Sequence, residues 1–317
     1  MNDLQERIRT ANTWWELEPR LVELDAAQCR EIEPALARWP DESRAAPSEW
    51  MAPIFAGKDP PPALSLCRSV SLIDNSHLED EELARLLTHP ALAGITRLKL
   101  GMCARRLRAP LLHGLTALRE LTIVTVDPYS SALGDDELAE LAAAPLHRVE
   151  RLSLDMVELR GPGVAALAQS TTLSALRELE LYTPATAAVC EGLASGAGLR
   201  AVQRLALCAD GFTPAAASAL AAAEPLLAGL RALEIRVTES SGFDWAEPFS
   251  AIASEGSRHA KRLATALARL LPALRDCESV SIEYIPDKEV SRIGREDFAA
   301  LAAAPKRLRE AFPSAMR

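Results

Sequence analysis

The chain has 317 residues, a formal charge of −9 at pH 7 and an apolar content of 49%. That balance describes a folded globular chain and argues against a nucleic-acid backbone as the main partner. The six cysteines lie far apart with no C-x-x-C pair, which fits reduced, intracellular usage rather than a disulfide framework.

The opening Met-Asn-Asp-Leu-Gln-Glu-Arg is charged and no apolar run comes after it. The expectation is a cytoplasmic chain with neither signal peptide nor membrane span. Abundant Ala and Arg with little Lys suggest a bacterial, GC-rich source.

Residues 1–63 hold four of the five tryptophans, Trp14, Trp15, Trp39 and Trp50. Two helix starts are legible there, because Thr13 with Glu16 and Asp25 with Gln28 have capping-box spacing. The second helix is expected from Ala26 towards Trp39, with Pro34 able to kink it or end it early. Lys58–Ala63 reads as a stiff Pro-rich connector. Residues 1–63 read as a helical cap on the remainder of the chain, with a partner-binding adaptor as the alternative.

From residue 64 the pattern apolar-x-x-apolar-x-apolar recurs eight times. It runs through Cys67–Val70–Leu72, Ile95–Leu98–Leu100, Leu118–Leu121–Ile123 and Val149–Leu152–Leu154. It continues through Leu176–Leu179–Leu181, Val202–Leu205–Leu207, Leu230–Leu233–Ile235 and Cys277–Val280–Ile282. Successive fourth positions are separated by 28, 23, 31, 27, 26, 28 and 47 residues. The fourth and sixth positions alternate with polar neighbours, which predicts a short half-buried strand.

Apolar pairs at helical spacing come after most strands: Leu83/Leu87, Leu138/Leu141, Val164/Leu167, Val189/Leu193, Ala217/Leu220, Phe249/Ile252 and Phe298/Leu301. Start signals fix the helix phase. Thr213-Pro214 supplies an N-cap with Pro at N1, and Asp135, Asp136 and Glu137 place negative charge at a helix start. The short second interval predicts a shortened helix around Ala109–Leu115. One strand and one helix cannot bury their apolar faces alone, so stacked units share a core. An Ala-rich helical array is the alternative reading of the period.

The 47-residue interval makes 239–275 an insertion, including a basic amphipathic run over Ser257–Leu271. Its plain reading is an extra helix on the outer face. The last repeat ends at Phe312-Pro313, with Lys306–Phe312 expected to fold over it.

These motifs resemble the leucine-rich repeat superfamily, and the period resembles its ribonuclease-inhibitor-like subclass. The resemblance covers roughly residues 64–317. It implies an α/β horseshoe of about eight repeats, with a concave parallel sheet, helices on the convex side and the helical cap before them. The family pattern has Asn or Cys at the ninth position. Here Asn75 and Cys103 fit, whereas Val126, Val157, Pro184, Asp210, Thr238 and Ile285 depart and predict irregular turns.

No chemistry-bearing grouping is found. The histidines His77, His89, His113, His147 and His259 lack metal-ligand spacing, and there is no Walker loop, nucleophile elbow or dinucleotide fingerprint. His89 and His147 are read as cations near helix ends. Cys208, expected to face outward, has no His partner. No metal, cofactor or catalytic residue is expected.

Positions three, five and seven of each strand point away from the core. Alternating Arg and Glu in the third column are expected to pair across strands. In the middle of the sheet Val124, Tyr182 and Cys208 are apolar or amphipathic among charges. The candidate partner-binding residues are therefore Lys99, Val124, Asp155, Glu180, Tyr182, Glu234, Arg236 and Glu283. The leading expectation is a non-catalytic scaffold docking a protein or peptide on the concave sheet. The alternatives are an inhibitor or immunity-type protein that blocks an enzyme or toxin, and an enzyme with its site in 1–63 or 239–275.

Overall fold

The computed structural model describes residues 2–73, 78–101, 108–124, 134–155, 159–208, 212–237, 265–274, 277–284 and 290–291. The chain forms two compact units. One holds Met1–Ala132 with Ala144–Arg151, the other Leu133–Ala143 with Leu152–Arg317.

The first unit opens with four helices, α1 (Asn2–Thr10), α2 (Glu18–Leu21), α3 (Ala26–Leu36) and α4 (Ser48–Phe55). At Thr13 and Glu16 the two side chains meet but form no capping box: the Thr13 hydroxyl donates to Glu16 Oε1 at 3.1 Å rather than accepting a backbone N–H, and the Asn12 N–H donates to Oε2 at 3.2 Å. Only a 3-10 turn, Trp14–Glu16, comes after Thr13. Pro19 has no N–H to continue the ladder and instead occupies the first turn of α2, where none is needed. Asp25 caps α3 fully, accepting from Ala27 and Gln28 N–H at 2.8 Å while Gln28 accepts from its own N–H at 2.9 Å. The helix stops at Leu36, short of Trp39. Pro34 removes a bond from the last turn, which closes through an Ala37 N–H to Pro34 carbonyl contact.

Three strands come next in this unit: β1 (Ser69–Leu72), β2 (Arg97–Gly101) and β3 (Glu120–Val124), with α5 (Asp80–Leu87) after the first. All pair parallel, with Ser69 opposite Arg97 and Arg97 opposite Glu120. The short interval carries a 3-10 turn, Ala109–Leu112, in place of a full helix. Before each strand one carbonyl accepts two N–H groups from the next repeat. The Arg68 carbonyl takes those of Thr96 and Arg97, and the Thr96 carbonyl takes those of Arg119 and Glu120.

That ladder begins earlier than the repeat pattern does. The Arg44 carbonyl accepts from Arg68 and Ser69, Ala46 N–H donates to the Ser69 carbonyl, and Ala45 forms a parallel bridge to Ser69. Residues 44–46 therefore cover the outer edge of β1, which would otherwise present unpaired backbone groups. The Arg44 side chain is buried, donates to the Leu66 carbonyl and faces Glu33, which also pairs with Arg68.

Strand β4 (Arg151–Asp155) spans the division, its first residue in the first unit. The second unit then holds α6 (Asp135–Ala143), α7 (Gly161–Gln169), β5 (Glu178–Pro184), α8 (Ala187–Ala194), β6 (Arg204–Cys208), α9 (Pro214–Ala221), α10 (Glu224–Leu227) and β7 (Ala232–Val237). Beyond these come a helical stretch over 265–270, β8 (Ser279–Tyr284) and β9 (Val290–Ser291). Strands β5 to β8 pair parallel in chain order. The repeat pattern does not contain β9, a two-residue strand running antiparallel to β8.

The apolar positions of the eight repeat motifs are buried throughout, Ile282 aside, whose side chain is not described. The helical pairs Leu83/Leu87, Leu138/Leu141, Val164/Leu167, Val189/Leu193 and Ala217/Leu220 are buried as well. Phe249/Ile252, Phe298/Leu301, Ser257–Arg262 and Lys306–Phe312 lie outside the described residues. Thr213 caps α9 by accepting from Ala216 N–H at 3.2 Å. Helix stacking is tighter than the pattern foretells. A Cβ on Gly192 of α8 would stand 2.6 Å from the Gly161 carbonyl oxygen, so only glycine permits that approach.

Candidate partner-binding surface

Within each unit the strands expose the face opposite their buried side chains, and that face has a different character in each. On the first unit it is open and organised in rows. In the lowest row Arg97 Nε stands 2.8 Å and Arg151 Nη1 3.1 Å from the two Glu120 oxygens. Arg97 also meets Glu42, from a turn before α4, at 3.1 Å. Partly exposed pairs of this kind contribute roughly 0.2–1 kcal/mol each. In the middle row Ser71, Lys99 and Thr122 lie in register, with Ser71 and Lys99 exposed and Thr122 half-buried. Among the described residues, no carboxylate pairs with Lys99.

The upper row holds Gly101 opposite Val124. Gly101 is buried because the chain leaving β1 crosses it: a Cβ there would stand 2.6 Å from the Ile73 Cα. Ile73 and Val124 are both half-buried.

On the second unit the same face is occupied by its own charges. Arg236 of β7 reaches across β6 to Glu180 of β5, each of its terminal nitrogens 3.3 Å from one carboxylate oxygen. Its Nε donates to Glu234 Oε1 at 2.5 Å, and its guanidinium lies 4.6 Å from the Tyr182 ring centroid. Two strand spacings are about 9.6 Å, a span that a long side chain bridges only over small residues. Those residues are Ala206 and Cys208, 1% and 5% exposed beneath the bridge.

Arg204 completes the network, reaching Glu234 at 2.7 Å, Glu178 at 3.3 Å and Glu180 at 3.7 Å. Burial works against its charge, but Glu234, Glu180 and Glu178 together outweigh that and hold its pKa above the ordinary value. The Ser153 hydroxyl donates to Glu180 at 3.1 Å. Tyr182 faces outward by the regular alternation of β5, and the register shifts just beyond it: Leu181 pairs with Leu207, but the next partner of β6 is Pro184, opposite Cys208. Pro184 cannot donate to the ladder, which suits it to the place where the pairing becomes irregular. It is the one unusual ninth-position residue that lies within the described residues.

The structure thus brings Glu180, Tyr182, Glu234 and Arg236 together and places Lys99 and Val124 on the first unit. Asp155 and Glu283 belong to β4 and β8, and their side chains are not described. Glu234 and Arg236, expected to be contact residues, are only 7% and 6% exposed. Cys208 occupies an outward strand position as expected, yet it is covered. Sequence reasoning did not find the bridge. Its signal was the pair of small residues at outward positions on β6, flanked by Glu, Tyr and Arg on the strands either side.

His89 acts as the cap of the turn Pro90–Leu92, its Nδ1 accepting from Ala91 N–H at 3.2 Å. Burial pushes the thiols of Cys67 and Cys190 up to about 12, far from a nucleophile's range. No group of metal-binding side chains occurs among the described residues, and no described helix is long and apolar enough to cross a membrane.

The architecture defined by these strands, turns and helices is that of a leucine-rich repeat solenoid. Among solved structures, the chain is similar to the leucine-rich repeat-containing protein LegL7 from Legionella pneumophila. The TM-score is 0.50 at 14% identity, covering 89% of this chain and 87% of that one. At that identity the likeness concerns the fold. No family model matches the chain, and no curated protein matches it.

Proposed function

We propose that this protein is a non-catalytic scaffold that docks a protein or peptide partner on the exposed face of its strands. The observation that carries this reading is the open face of β1–β3. It combines solvated charges and hydroxyls with half-buried Val124 on a backbone fixed by parallel pairing. A pre-formed surface binds with little ordering cost. The buried, strongly raised thiols of Cys67 and Cys190 fit a chain without nucleophilic chemistry.

The face of the second unit serves as a rigid floor in this reading, since its charges already satisfy one another. The test is affinity capture from a native lysate, read by mass spectrometry, with the protein beside its Thr122→Arg/Val124→Arg variant. Partners retained by the protein and lost by the variant, at unchanged melting temperature, support the docking face. Equal capture by both removes it.

A further inference from the structure

Unlike the chain that carries them, the described side chains on the first unit's strand face include more cations than carboxylates. Arg97, Lys99 and Arg151 stand on it against Glu120, with Glu42 reaching in from the side. Among the described side chains of this face, three cations stand beside two carboxylates, on a chain whose formal charge is −9. The lower row is balanced internally, because both carboxylates are engaged by Arg97 and Arg151. Lys99 is the cation of this group that no described carboxylate engages.

Lysine is scarce here. Only Lys58 and Lys99 fall among the described residues, and of these Lys99 alone lies on a strand. Ser71 and Thr122 flank it at one strand spacing, about 4.8 Å, and offer hydroxyl donors to the same anion. Above it, Ile73 and Val124 form a half-buried apolar step.

We propose that the β1–β3 face selects an acidic segment of a partner protein. A carboxylate would pair with Lys99 between Ser71 and Thr122, and an adjacent apolar side chain would rest on Ile73 and Val124. This rests on the scaffold reading above and adds the chemistry of the partner. A polyanionic nucleic acid fits less well. Its binding requires several phosphates to be neutralised together, whereas among the described residues of this face only Lys99 lacks a carboxylate partner, and the net negative chain repels a polyanion. The apolar step beside the ammonium matches a side chain rather than a sugar–phosphate backbone.

The experiment selects binders to the full-length protein from a library of short random peptides. It then measures the winners by fluorescence polarisation against the protein, Lys99→Glu, Lys99→Met and Lys58→Glu. The proposal expects winners enriched in Asp or Glu next to an apolar residue. Binding should weaken about tenfold or more in Lys99→Glu, less in Lys99→Met, and stay unchanged in Lys58→Glu. It should also weaken as salt rises.

Winners without acidic enrichment, or winners indifferent to Lys99→Glu, overturn the proposal but leave the scaffold reading intact if Thr122→Arg/Val124→Arg abolishes their binding. Winners that survive that variant as well, or a library that yields none, overturn both. A labelled single-stranded oligonucleotide bound as tightly as the best peptide assigns the face to nucleic acid and overturns the proposal. Far-ultraviolet circular dichroism of each variant shows that the fold is kept.

Discussion

Replacing Arg236 by Met keeps a long unbranched side chain and removes the charge that spans β5 to β7. The loss can be worked from the contacts. Two bonds of 3.3 Å to Glu180, one of 2.5 Å to Glu234 and the stacking on Tyr182 at 4.6 Å disappear together. The side chains of Glu180 and Glu234 are only 14% and 10% exposed, so both carboxylates stay largely out of water. Breaking a buried pair costs roughly 3–5 kcal/mol, chiefly because the orphaned charge remains. Arg204 still reaches both carboxylates, at 2.7 and 3.7 Å, and sets the expectation near the lower end, about 3 kcal/mol.

The assay is urea unfolding followed by circular dichroism, comparing midpoints at constant slope. The informative partner is the triple variant Arg236→Met/Glu180→Gln/Glu234→Gln. Amides remove the uncompensated charges while Arg204 keeps Glu178, so the triple variant should recover part of the loss. A single variant within about 0.5 kcal/mol of the parent would show that the bridge contributes nothing measurable. A triple variant weaker than the single one would refute the electrostatic cause of the loss.

Three further outcomes are expected. Gly192→Ala forces a methyl to 2.6 Å from the Gly161 carbonyl oxygen and should cost about 1–3 kcal/mol in thermal or urea unfolding, whereas a neutral result would deny the close α7–α8 approach. Burial, with a hydrogen bond and like charge from Glu49, raises the pKa of Glu18 above its ordinary 4.5. The raised value gives a contribution present below the ordinary pKa and lost as pH rises through the raised one. Glu18→Gln should therefore melt higher than the parent at neutral pH, with the difference closing towards about pH 4. Cys67 and Cys190, whose thiols sit near 12, should resist a thiol reagent at pH 8 in the native protein and react fully once it is unfolded.

The helical capping of residues 2–66 and the bridge over β6 mark two kinds of information. Asp25 and Thr213 cap their helices because a cap joins side chain and backbone within three positions, a geometry written into the local sequence. The strand core from Val70 to Val280 was legible for a similar reason. A period of two puts alternate side chains on one face whatever the neighbours are.

Which outward residues stay open was not legible. Arg236 and Glu180 are 56 positions apart, and only the stacking of β5, β6 and β7 sets one within reach of the other. Ala45 joins the ladder without carrying the repeat pattern, because a backbone bridge needs no particular side chain.

The sequence by itself determined that strands and helices alternate, which residues they bury and where most helices begin, since short-range periodicity and capping decide these. Tertiary structure alone decided that one strand face closes on its own charges while the other keeps Lys99 exposed. The pairing of surface charges depends on which strands stand side by side and on how small the residues between them are.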